Sequence, residues 1–109
     1  MPAEIFASDG ECRAYEKIGT TTTSIGFTAT KLLYKGRIAR AVLITVETAA
    51  IRITMDGTTA VVTATAGGTG HLVDVGQSYV VRGTVSVRKF QCINAVASSG
   101  AVVHCSYFF

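Results

Sequence analysis

From residue 40 to residue 109 the chain alternates short apolar runs, rich in Val, Ile, Thr and aromatic side chains, with glycine-containing turns. That alternation is the signature of strands. In residues 40–47, Val42, Ile44 and Val46 share one face, while Ala41 and Leu43 keep the other partly apolar. This pattern predicts a central strand covered on both sides. In residues 50–55, Ile51, Ile53 and Met55 point one way and Arg52 and Thr54 the other. Asp56-Gly57 follows as a turn pair that tolerates positive φ. Further strands are expected at 60–66, 71–75, 78–81, 87–96 and 101–109, with a flexible loop at Gly67-Gly68-Thr69-Gly70. Residues 87–96 and 101–109 read as a closing hairpin about Ser98-Ser99-Gly100. Apolar residues reach the last position of the sequence, so residues 101–109 are expected to be a packed strand.

The first third is less regular. Residues 3–6 read as extended, Ser8-Asp9-Gly10 as a turn, and residues 11–17 as one helical turn too short to stand alone. Thr20-Thr21-Thr22-Thr23 is β-branched and suits an exposed strand edge or an extended arm. Ile25, Phe27, Leu32, Leu33 and Tyr34 give a strand pair or an irregular apolar stretch, closed by a turn at Lys35-Gly36-Arg37. The expected organisation is an extended N-terminal arm or irregular segment over residues 1–35 and a core over residues 36–109. The core holds about seven or eight strands at a spacing of roughly 8 to 12 residues, the pattern of a single all-β domain of β-sandwich or jelly-roll type.

Composition sharpens this. The 109 residues suffice for one domain. Only 16% are charged, against about 25% in an average soluble domain. Small β domains usually guard their sheet edges with charge, so a chain this poor in charge is expected to cover surface with partners, as a homo-oligomer or within a larger assembly. The net charge of +3 is unevenly spread. Bases gather at Lys31, Lys35, Arg37 and Arg40, and again at Arg82, Arg88 and Lys89. Such a patch can hold nucleic acid or an acidic partner, but a solubilising surface is the plainer reading. Three cysteines, Cys12, Cys92 and Cys105, argue against a secreted disulfide framework. No signal peptide and no apolar run of membrane-spanning length is present, so synthesis in a cytoplasm and a soluble product are expected.

Site chemistry is sparse. His71, His104, Cys12, Cys92 and Cys105 are the candidate metal ligands, but they form no Cys-x-x-Cys or His-x-x-x-His spacing. His104 and Cys105 are adjacent and point to opposite faces of a strand. A Cys92 nucleophile with His71 or His104, oriented by Asp74 or Glu47, lacks any motif around the cysteine. The carboxylates Glu47, Asp56 and Asp74 offer little for acid–base work. The glycine-rich loop lacks the Lys-Ser/Thr ending of a phosphate loop. Sugar binding would want exposed aromatics, and Tyr15, Tyr34 and Tyr79 are the candidates, without any Trp. Arg88-Lys89-Phe90 is a short match to a nucleic-acid-binding face. No catalytic, cofactor or metal residue is assigned, and no enzyme activity is expected.

The phrases Ala41 to Arg52, Met55-Asp56-Gly57-Thr58, Gly70-His71-Leu72-Val73 with Gly76, Val87-Arg88-Lys89-Phe90 and the terminal Ser106-Tyr107-Phe108 resemble small structural proteins encoded in tailed-bacteriophage morphogenesis clusters. The resemblance spans about two-thirds of the chain. It implies a β-sandwich or jelly-roll virion subunit, first a capsid decoration (cement) protein and second a neck, collar or head-to-tail component. The implied partners are further copies of the chain, as a trimer or higher ring, and virion proteins such as the major capsid protein. Membrane, nucleic acid and small-molecule substrate are not expected among them. A β-sandwich carbohydrate-binding module is the alternative from another class. Interface residues are expected at Phe6, Ile25, Phe27, Leu32, Tyr34, Phe108 and Phe109, with core packing as the plain alternative for each.

Overall fold

A computed structural model of the chain describes residues 3–62 and 68–109. In chain order its elements are β1 (Cys12–Gly19), β2 (Leu33–Tyr34), β3 (Arg37–Ile38), β4 (Ala41–Glu47), β5 (Ile51–Thr54), β6 (His71–Val73), β7 (Ser78–Arg82), α1 (Thr84–Lys89), β8 (Gln91–Asn94) and β9 (Val102–Phe108). Two short 3-10 turns, Ala7–Asp9 and Ala29–Leu32, complete the set. The fold is all-β in class; among the described residues every strand pair is antiparallel and there is one short α-helix.

The strands form a four-stranded sheet ordered β1-β9-β4-β7, a three-stranded sheet ordered β6-β5-β8 and the small β2-β3 hairpin. β4 is interior to its sheet, as its two-faced apolar pattern predicts: Val42, Ile44 and Val46 are fully buried. β5 is central in the second sheet, with Ile51 and Ile53 buried. Both sheets feed one core. Val42, Ile44, Val81, Val103 and Tyr107 come from the first, and Ile51, Ile53, Val73 and Cys92 from the second. Phe27 stacks on Phe90 with ring centroids 4.1 Å apart and meets Tyr107 edge-on at 5.5 Å.

Three expectations fail. Residues 11–17 are not a helical turn: they enter β1, which pairs with β9 from Cys12↔Phe108 to Gly19↔Val102. A turn of helix gains one or two internal hydrogen bonds, whereas this register gives the segment a full ladder. Residues 87–96 are not one long strand. Gly83 at φ 95° breaks the chain after β7, and Val87 N–H returns to the Gly83 carbonyl to open α1. Val87 and Phe90, three apart, then reach the core while Arg88 and Lys89 stay outside. The closing hairpin is also absent. β8 pairs with β5 in the second sheet, and β9 pairs with β1 and β4 in the first, so residues 95–101 cross between sheets.

The N-terminal segment, expected as an extended arm or an irregular segment, lies against the rest of the chain. The Arg82 guanidinium holds Asp9 through Nε to Oδ1 at 2.9 Å and lies 4.5 Å over the Phe6 ring. The Glu11 and Phe109 backbones exchange hydrogen bonds at 2.9 and 3.1 Å. Thr20 bridges to the second sheet through Asn94, and Ile25 pairs with Cys92. The strand expected over 60–66 lies partly outside the described residues, as does Gly67 of the expected loop. Val61 and Thr69 bridge its two described shoulders.

Candidate functional site

The β2-β3 hairpin turns through Lys35 (φ 49°) and Gly36 (φ 75°). Two positive φ values at the centre of a two-residue loop match the strand twist, and Asn-Gly is the usual occupant. Here a lysine takes the first of those positions. The hairpin ends beside Arg40, where β4 begins against the end of β9 through the Arg40 N–H to Phe108 carbonyl bond at 2.8 Å. Gly10 allows the N-terminal segment to close over this end. A Cβ there would lie 2.0 Å from the Phe109 carbonyl oxygen and 2.8 Å from an Arg40 guanidinium nitrogen.

These segments enclose a cleft of about 620 Å³ lined by Arg13, Lys35, Arg37, Arg40, Tyr34 and Phe109, with Glu11 as its single acidic side chain. Arg13 and Lys35 lie 5.3 and 5.5 Å from the Tyr34 ring centroid, at distances where the ring face attracts a cation. Glu11 pairs with Arg13. Sequence reading saw Lys35, Arg37 and Arg40 as part of a solubilising patch. It missed Arg13, which lies twenty-two residues before Lys35 and is brought to them by the β1-β9 pairing and its seat over the Tyr34 ring.

A second group sits on the outer face of the first sheet. Tyr15 Oη meets His104 Nδ1, and His104 Nε2 lies 3.0 Å from Glu47 Oε1. His104 faces Lys17 and Thr45 directly in register. Tyr15 and Glu47 reach it on the diagonals, an allowed distance for long side chains. Cys105, one residue on, points inward and is fully buried, so the opposite-face argument for that pair holds. Burial pushes the thiols of Cys92 and Cys105 up to about 12. At neutral pH neither is a thiolate. His71 is exposed on β6 while Cys92 is fully buried.

A third feature is apolar. Leu72 (57% exposed) and Tyr79 (39% exposed) flank a cavity of about 200 Å³ floored by Ile53 and Val73. Sequence reading included neither residue among its interface candidates.

Those candidates divide. Phe27, Leu32 and Phe109 are buried in the core. Ile25 and Tyr34 are half-buried against it, and Phe108 is half-buried at the end of β9. Phe6 alone of the seven is exposed, and it carries the Arg82 guanidinium. No family model matches the chain, and neither a curated protein nor a solved structure is significantly similar to it.

Proposed function

We propose that this chain is a structural subunit that acts by association rather than by turnover. Its specific role is a virion protein of a tailed bacteriophage, first a capsid decoration protein and second a neck or collar component. In this reading the two sheets form a β-sandwich about their shared core. The observation that carries it is the coupling of low charge with exposed apolar side chains, of which Leu72 and Tyr79 stand together over an apolar hollow. Contiguous exposed apolar surface marks contact with another molecule. The carbohydrate-binding alternative asks for a shared tyrosine platform. The exposed Tyr15 and Tyr79 lie on β1 and β7, the opposite edges of the first sheet, and give it no support.

The test is the mass of the purified chain by light scattering at two concentrations, beside a Leu72→Lys, Tyr79→Lys variant. Peptide mass spectrometry of phage particles from a strain encoding the chain complements it. A trimer or larger ring that dissociates in the variant, with the chain present in particles, is the expected result. A monomer at both concentrations and absence from particles overturn the proposal.

A further inference from the structure

We propose that the cleft beside Arg40 is a binding site for a multiply charged oxyanion, specifically a phosphate group. The inference concerns a different surface from the Leu72–Tyr79 patch and stands independently of the virion reading.

Charge imbalance is the first argument. Arg13, Lys35, Arg37 and Arg40 arrive from three separate segments and converge on one concavity. Glu11, the acidic side chain in the lining, is occupied by Arg13, and Asp9, just outside it, is occupied by Arg82. Among the described residues, Lys35, Arg37 and Arg40 have no carboxylate side chain within ion-pair distance. With Glu11 set against Arg13, Lys35, Arg37 and Arg40, the cleft keeps a positive surplus of side-chain charge. Like charges gathered in a concave site raise its potential and draw in a counter-anion.

Preorganisation is the second. Arg13 and Lys35 are gathered on one Tyr34 ring, which itself leans on Phe109 at 5.6 Å. Lys35 occupies a left-handed turn position that asparagine or glycine would hold with less strain.

Size and donor type favour phosphate. The guanidinium forks of Arg37 and Arg40 match tetrahedral and planar oxyanions, and phosphate brings up to two charges to one point where a carboxylate brings one. A cleft of about 620 Å³ exceeds a single phosphate and accommodates a diphosphate or a nucleotide. A localised hollow of this volume is not an extended track for a nucleic-acid duplex. A free phosphate compound is therefore the favoured source, and a strand terminus or backbone phosphate is the other.

The experiment is calorimetric titration of the full chain at low salt with inorganic pyrophosphate, a short single-stranded oligonucleotide and a hexaglutamate peptide. An Arg37→Gln, Arg40→Gln variant runs alongside. Both side chains are exposed, so the variant is expected to fold, and its melting temperature is measured beside the wild type to confirm it. Saturable pyrophosphate binding at one site per chain, weakened about tenfold or more in the variant, supports the proposal. Tighter oligonucleotide binding that pyrophosphate displaces assigns the phosphate to a nucleic acid, and equal or weaker binding assigns it to a free compound. Absence of saturable pyrophosphate binding at millimolar concentration overturns it. So does undiminished binding by the variant, or hexaglutamate binding more tightly than pyrophosphate.

Discussion

Tyr107, fully buried on β9, donates its hydroxyl to Glu16 Oε1 of β1 at 2.7 Å. The same oxygen accepts the Thr28 N–H at 3.2 Å, so one carboxylate ties the edge strand and the Ala29–Leu32 turn to the core. Tyr107→Phe keeps the ring contact with Phe27 and loses the hydroxyl. It is expected to cost about 1–2 kcal/mol, and Tyr107→Ala about 3–5 kcal/mol, both read by urea denaturation. Burial first, then the bond to Glu16, push the Tyr107 phenol well above its ordinary value. A raised folded value means that this contribution is complete below the unfolded phenol value, about 10, and is lost as pH rises beyond it. Stability of the wild type, but not of Tyr107→Phe, is expected to fall for this reason above that pH.

Gly10 and Gly76 separate backbone conformation from crowding. Both have φ near the left-handed range, 90° and 82°. A Cβ at Gly76 meets nothing within 4 Å, while one at Gly10 falls 2.0 Å from the Phe109 carbonyl oxygen. Gly76→Ala is expected to cost about 1–2 kcal/mol from conformation alone. Gly10→Ala adds the displacement of the β9 end and is expected to exceed that by at least about 1 kcal/mol. Thermal melts of the two variants check the order.

Asp9 links acid stability to the N-terminal clasp. The hydrogen bond from Arg82 is the main cause holding its carboxyl below the ordinary range, with the Phe6 N–H and the Arg82 and Arg40 charges adding to it against burial. A depressed folded value means stability that is present above the unfolded carboxylate value, about 3.9, and lost as pH falls through the lower folded one. Asp9→Asn is expected to cost about 1–2 kcal/mol at pH 7, since Arg82 is 41% exposed and partly screened. The gap between wild type and variant should narrow as pH falls below the unfolded carboxylate value, about 3.9, in denaturant titrations.

What the sequence disclosed follows from the reach of its signals. Val42, Ile44 and Val46, or Ile51 and Ile53, report their own burial by alternation, and both strands lie where the pattern placed them. β1 was concealed because an edge strand whose residues alternate between exposed and half-buried has one weakly buried face and no apolar alternation to announce it. Val85 and Val87 mimic strand spacing, but Gly83 and the pull of Val87 and Phe90 into the core select α1. Register is a long-range property. The meeting of Tyr15, His104 and Glu47, and of Arg13 with Arg40, depends on β9 lying between β1 and β4, which no local window encodes.

The thiols give the most direct check on that arrangement. Cys12 is exposed at the start of β1, while Cys92 and Cys105 are buried in different sheets. A thiol must be both reachable and ionised to react with an aromatic disulfide reagent. Burial removes both conditions for Cys92 and Cys105, whose values stand at about 12. At pH 8 the native chain is expected to release one equivalent of the reagent's thiolate promptly, from Cys12. The three cysteines are expected to react in full only in denaturant. Cys12→Ser should leave a native chain that is silent on the same timescale. Prompt reaction of two or three thiols in the native wild type would place β8 or β9 at the surface and contradict the core described for both.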